Sequence, residues 1–354
     1  MQRIDYESHY DQLLQLSEHE EEIQARILPR LPESIIDVHV HASDHQHYSE
    51  TAMTESVYNH MMSTFPVTTL EHSARIDDVL MPGKDVRKAR FAHAYSGIDH
   101  FGTTEYLINE SPQKDYVFSF GLSDTPEQIE RTIDDLRVDR VSGLKMYYLA
   151  NGVAKSNLYD YFPIPILETA QELEKPIVLH LPHSLYNSTE EVLELAKTMP
   201  DLKIILAHMG LAHVVRPDLE KIMGQFAEHR NILADTSQVN DTGIISTALK
   251  TMGPEKVLFG TDEPLNLLRA VIYDNPDLGP RLLTDYPFHW VDPEEHSKYI
   301  HLNTEPFIHS HWMQLDAILS GVRDAIGNKP KRLEDDWLQM IFNDNTQALL
   351  DQNA

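Results

Sequence analysis

The stretch Ser34–Ser43, SIIDVHVHAS, sets two histidines, His39 and His41, into an apolar run with one valine between them. Side chains on a strand alternate between faces, so the two rings share one face, about 7 Å apart at Cα. Alone, such a pair suits a strand with one wet face better than it suits a metal site. The rest of the chain decides between them. SIIDVHVH (34–41), ARFAHAYSG (89–97), DYVFSFGLS (115–123), VSGLKMYY (141–148), PIVLHLP (176–182), KIILAHMG (203–210), NILADTS (231–237) and KVLFGTDEP (256–264) are short β-rich runs without strict polar alternation. That pattern marks parallel strands covered on both faces.

Helix signatures lie between the runs. In DTPEQIERTIDDL, Thr125 is the expected N-cap and Pro126 the first helical residue. STEEVLELAKTM opens on a Ser/Thr cap with early acids. RPDLEKIMGQFAEH spaces Leu219, Ile222, Met223 and Phe226 along one helical face. Eight strand–helix units predict an α/β fold, a (β/α)8 TIM barrel. The competing fold, an open doubly wound sheet, lacks its glycine-rich phosphate loop here.

Three segments fall outside the alternation. Residues 1–30 are polar and acidic and read as a helical appendage; residues 31–354 form the barrel domain. Residues 42–88 are a long excursion after the first strand, and residues 264–312 a long insertion after the eighth. Loops of that length beyond a barrel strand are usually lids or substrate walls.

Composition narrows the function. The chain has 354 residues, 41% of them hydrophobic, enough for a sizeable core. It has no cysteine, which removes disulfides, thiolate metal sites and thiol nucleophiles. The formal net charge of −27 repels phosphate backbones and anionic lipids, so neither nucleic acid nor a membrane surface is an expected partner. The charged start, MQRIDYESHYDQLLQL, has no apolar core segment, and no run approaches the roughly 18 apolar residues of a membrane span. A cytoplasmic location is expected.

His180 lies near the end of the fifth run, His208 near that of the sixth and Asp262 near that of the eighth. In a barrel these ends converge on one mouth, where active sites lie. Four histidines and a carboxylate buried without partners would cost several kcal/mol, and a divalent cation offsets that cost.

With these motifs in hand, the sequence resembles the amidohydrolase superfamily. Within it, the similarity is to the branch of aminocarboxymuconate-semialdehyde decarboxylase, aromatic-acid decarboxylases, pyrone-dicarboxylate lactonase and related metal-dependent hydrolases. IDVHVH, GLKMYY, PIVLH, KIILAHMG, VLFGTDEP and the closing IFNDNTQALL carry the resemblance, over roughly residues 34–350. It implies His39, His41, His180 and Asp262 as metal ligands, and His208 as a catalytic neighbour of the metal. One divalent ion is expected, zinc first and manganese as the alternative. A fourth-strand lysine bridges two metals when carboxylated in some members. A second ion with carboxylated Lys145 is therefore the lesser alternative to a structural or substrate-contacting Lys145.

The chemistry follows. A metal with an open position activates water. Asp262 takes the proton and passes it to a leaving group, and His208 stabilises developing negative charge. Asp37 either orients a ligand ring or closes the barrel floor. Lys145, Tyr147 and Tyr148 after the fourth strand, His183 after the fifth and Arg269 after the eighth are candidate substrate contacts. For Arg269 a surface salt bridge is the plain alternative. Trp290 and Trp312 either wall the pocket or pack the lid. The expected activity is hydrolysis of a small amide, lactone or related carbonyl compound. The alternative is non-oxidative decarboxylation of an unsaturated or aromatic acid, which His39 disfavours in its aromatic form because those enzymes often carry glutamate there. A barrel that only binds a ligand is the third possibility, and a homodimer is expected.

Overall fold

The computed structural model describes residues 6–49, 67–94, 97–149, 154–212, 215–275, 279–286 and 292–351. Eight parallel strands form one sheet in sequence order: β1 (Ser34–His41), β2 (Asp85–Phe91), β3 (Tyr116–Phe120), β4 (Val141–Met146), β5 (Ile177–Leu179), β6 (Ile204–Leu206), β7 (Ile232–Asp235) and β8 (Val257–Leu258). The sheet closes on itself. Val38 N donates to Phe259 O at 2.9 Å, Asp262 N to His39 O at 2.9 Å and His41 N to Glu263 O at 2.8 Å. Helices alternate with the strands, so the fold is a TIM barrel.

The helices form where their caps place them. Thr125 accepts from Gln128 N, Pro126 is the first helical residue, and the helix runs Pro126–Leu136. Helix Leu219–Ala227 buries Leu219, Ile222, Met223 and Phe226 on its inner face. One excursion is partly ordinary barrel. Its residues Leu70–Leu80 form the helix between β1 and β2, capped by Thr69, with Ile76 and Leu80 buried. β2 also starts at Asp85, earlier than its apolar run suggests, because Lys88 and Arg90 are buried charges on the strand. The TESVYNHMMSTF segment of that excursion lies outside the described residues.

A layer of apolar side chains fills the barrel. In register across the sheet, Phe120, Lys145, Val178, Ile205 and Leu233 follow one another from β3 to β7. Four of them belong to the inner apolar cluster and the fifth is a lysine. A register shift in β1 between Asp37 and Val40 re-aims the strand at His39.

Two additions join the barrel. Before the barrel stand α1 (Tyr6–Leu13) and α2 (Glu18–Ile27), the latter with a Ser17–Glu20 capping box. After β8 the insertion folds into an antiparallel sheet of β9 (Arg269–Asn275), β10 (Gly279–Thr284) and β11 (Ile308–His309), with helix Pro293–Ile300 beside it. The two additions are fastened together. Buried Glu20 meets His309 Nδ1 at 2.5 Å and Arg269 at 3.2 Å. Among the described residues no helix is long and apolar enough to cross a membrane.

Candidate metal centre and its cavity

The strand ends supply the site as the sequence implies, and the backbone there is unusual. His208 and Asp262 both hold left-handed φ, 55° and 62°. Such a backbone costs a non-glycine residue about 1–2 kcal/mol. Hydrogen bonds offset it: His208 N donates to Asp235 Oδ1 at 2.8 Å, and Asp262 N to His39 O. Gly260 is needed where β8 passes β1, since a Cβ there would lie 2.9 Å from that of His39.

His39, His208 and Asp262 offer ligand atoms within 4.8 Å of one another. Asp262 Oδ1 lies 3.3 Å from His39 Nε2 and 3.2 Å from His41 Nε2. The His180 ring centroid is 5.1 Å from that of His208. The structure thus gathers His39, His41, His208 and Asp262, with His180 against them.

Each ring is oriented through Nδ1. His41 donates to Ala92 O at 2.8 Å, His180 to Leu181 O at 3.0 Å and His208 to Ser237 O at 3.0 Å. A carbonyl only accepts, so Nδ1 carries the hydrogen in all three and the Nε2 lone pair is free. His39 Nδ1 meets Asp235 Oδ2 at 2.9 Å. Its Nε2 is buried without a sound hydrogen bond. Unprotonated imidazole nitrogens converging on a carboxylate are the donor set of a divalent cation, and these residues fit one.

The electrostatics agree. Burial lowers the pKa of His41, that of His208 to about 4, and that of His180 well below the imidazole range. These rings are neutral, the ligating form. For His39, burial and Lys145 oppose protonation, yet Asp235 and Asp262 prevail and its pKa rises. Burial opposes ionisation of Asp262 too, but the imidazoles of His39 and His208 outweigh it and hold its pKa well below the carboxylate range.

Two buried carboxylates, Asp235 and Glu263, are not marked by the sequence. Asp235, at the end of β7, is fully buried, and its second oxygen accepts His208 N and Ser237 N. A carboxylate at a strand's C-terminal end was the one available signal. Asp37, by contrast, bonds main chain: it accepts from His39 N and Thr261 N, both at 3.0 Å, and ties β1 to the segment after β8. Glu263, next to Asp262, is buried against Lys88 Nζ at 2.7 Å and accepts from Ser73 Oγ.

The cluster floors a cavity of about 460 Å³. Lys145 lines it, 1% exposed, with Nζ in no hydrogen bond. Burial draws its pKa down to about 8 against the pull of Asp235 and Asp262. Tyr147 stands 4.7 Å from the His180 ring and 4.7 Å from Tyr148. Leu211, Ile244, Leu265, Leu268 and Leu283 give apolar wall, and Gln238, Asn240, Asp241, Glu295 and His296 give polar wall. The sheet of the insertion adds Tyr273 and Arg281 to the wall.

Other expected contacts lie elsewhere. His183 is exposed and does not line the cavity. Arg269 is turned to Glu20 and Gln15 O, because Glu20 is buried and needs a cation. Trp312 is buried in the main core, and Trp290 lies outside the described residues.

Residues 36–352 match the family described as Amidohydrolase. No curated protein matches the sequence significantly. Among solved structures, the chain is similar to an uncharacterised TIM-barrel protein of Bordetella bronchiseptica (11% identity, 90% of this chain and 99% of that one, TM-score 0.54). It is also similar to a zinc-bound amidohydrolase of Burkholderia multivorans (12%, 90% and 99%, TM-score 0.53). A third is 5-carboxyvanillate decarboxylase of Sphingomonas paucimobilis (13%, 90% and 99%, TM-score 0.52).

Proposed function

The chain belongs to the amidohydrolase family, and on that premise we propose that it is a divalent-metal enzyme that decarboxylates a small unsaturated or aromatic acid without oxidation. The observation that carries this reading is the aromatic wall, Tyr147 and Tyr148, set against the ring of His180 in a cavity that also has leucine walls at Leu211, Leu265, Leu268 and Leu283. A planar acid stacks on such a wall with its carboxyl group toward the histidines. Decarboxylation spreads the charge of a carboxylate into the unsaturated body. Apolar walls favour that dispersal because they solvate localised charge poorly. The activity named for the Sphingomonas structure supports the same order.

His39, His41, His180, His208 and Asp262 are the residues that would hold the ion. When bound, it supplies a Lewis acid for the substrate oxygens. The chain does the rest. Asp235 and the strand-end carbonyls keep the rings aimed. Lys145 faces the reacting carboxylate as a buried cation. As the carbon–carboxyl bond breaks and CO2 leaves, the electron pair stays on carbon and takes a proton from Lys145 Nζ. Leu265 and Leu268 line the reacting end with apolar surface.

Hydrolysis of a small amide, lactone or related carbonyl compound is the second reading, favoured by one observation. Asp262 is held ionised beside the rings of His39 and His41, the state a general base needs. It would take a proton from water and return it to the leaving group, with His208 stabilising the oxyanion. The test is a screen of the metal-loaded protein against aromatic and muconate-like acids, lactones and amides, following CO2 and acid release together. CO2 release from an unsaturated acid is expected. Acid release without CO2 would move hydrolysis to first place, and silence across the panel would leave a barrel that binds only.

A further inference from the structure

On its outer face the barrel carries a second group of buried charges, and none of them takes part in the chemistry above. Ala89 and Phe91 of β2 belong to the inner apolar cluster. Lys88 and Arg90 alternate with them along the strand and so point outward, under the helix Leu70–Leu80. Both are buried. Arg90 Nε meets Asp115 Oδ2 at 2.8 Å. Lys88 Nζ meets Asp77 Oδ1 at 2.8 Å and Glu263 Oε2 at 2.7 Å, and it donates to Ser73 O at 3.1 Å. Burial opposes the charge on Lys88, but Asp77 and Glu263 outweigh it and its pKa rises.

The contact with Asp77 alone would fasten the helix to the strand. The contact with Glu263 reaches further, because Glu263 follows Asp262 in the chain. Asp262 holds φ at 62°. A residue with a Cβ stays in such a backbone only where its surroundings over-determine it. Here the chain is pinned on both sides of it. Ahead of Asp262, Thr261 N donates to Asp37 Oδ1 at 3.0 Å and Thr261 Oγ1 to Asp37 Oδ2 at 2.5 Å. Behind it, His41 N donates to Glu263 O at 2.8 Å and Glu263 N to Thr261 Oγ1 at 3.1 Å. The Glu263 carboxylate is in turn fixed by Lys88 Nζ and by the Ser73 hydroxyl. An ion pair outside the cavity thus grips the chain one peptide away from the carboxylate that faces the rings.

We propose that Lys88 is a positioning residue for the metal centre, acting through Glu263 to hold the Asp262 carboxylate among the rings of His39, His41 and His208. The assignment rests on the reading that these residues hold a divalent ion, and it adds to that centre a buried cation from outside the cavity.

The test uses the full chain with cobalt(II) as the probe. The visible absorption of that ion follows the arrangement of its ligands, and competition with a chelator gives its affinity. Glu263→Gln keeps the shape of the side chain, removes its charge and leaves Lys88 paired with Asp77. It is expected to weaken cobalt binding by about 10–100-fold and to change the spectrum of the bound ion. Lys88→Met is expected to do the same, and the double variant to lose no more than either single one, because the two residues act in series. Glu263→Gln decides alone where Lys88→Met does not fold. Lys175→Met is the control. Lys175 Nζ donates to Leu136 O and Val138 O just before β5, so its loss lowers stability and leaves the cobalt spectrum and affinity as in wild type. Wild-type affinity and spectrum in Glu263→Gln, losses that multiply in the double variant, or an equal change in Lys175→Met would overturn the assignment. A wild type that takes up no cobalt rejects the metal centre itself, whereas unchanged variants of a protein that binds cobalt reject only the part played by Lys88.

Discussion

Asp235 Oδ2 lies 2.9 Å from Nδ1 of His39, both fully buried, and its other oxygen holds His208 N. One carboxylate therefore aims one ring and fixes the backbone of a second. Its pKa falls to about 2 because the His39 and His208 interactions outweigh burial. Asp235→Asn keeps the shape and loses the charge. It is expected to weaken divalent-ion binding by about 10–100-fold. Titration with zinc against a competing chelator measures this, and unchanged affinity would reject the role.

About one zinc or manganese ion per chain is expected, lost in His39→Ala and in His180→Ala. The motive is the convergence of free Nε2 atoms on Asp262. Metal analysis after purification without chelator decides it. A protein that refuses divalent ions sinks the prediction, and a stoichiometry near two would point to a carboxylated Lys145 bridging a pair.

Asp262→Asn separates binding from turnover. The histidines still hold the ion, so most of it should stay. Loss of a general base costs about 10²–10⁴ in rate. Turnover at least about a hundredfold slower with metal retained is expected on a hydrolysed substrate. Near-normal hydrolysis would show that Asp262 is not the base.

How much of this could be read beforehand follows from chain distance. His39, His41, His180, His208 and Asp262 were visible because each sits at the end of an apolar run, where the barrel must gather them. The start of β2 was not, since Lys88 and Arg90 look like surface charges until Glu263, 175 residues away, together with Asp77 and Asp115, is seen to neutralise them. Asp235 was hidden for a like reason: its partner ring lies 196 residues away. Arg281 was hidden because the insertion reads as loop, and only its folded sheet brings that residue to the cavity wall.

Stability in acid should depend on Glu20. Burial opposes its charge, but His309 outweighs that and its folded pKa is lowered from 4.5 to about 2. A depressed carboxylate stabilises above its unfolded pKa, and that contribution fades as pH falls from 4.5 toward 2. Glu20→Gln should be less stable than wild type at pH 7, by about 1–3 kcal/mol. The gap should narrow steadily below pH 4.5. Urea unfolding across that range reads the difference, and a gap independent of pH would reject the assignment.

Three of the four imidazoles at the centre are steered by main-chain oxygens, those of Ala92, Leu181 and Ser237. Every amino acid brings such an oxygen, so no single replacement at those positions can delete it. The orientation of the rings is therefore inherited with the path of the backbone and is insulated from mutational drift. A lineage built this way is free to rewrite the walls and roof of its cavity, and so its choice of substrate, while the rings keep their aim; Asp235 and the Ser237 hydroxyl are the exposed points, where drift in a single codon reaches the rings.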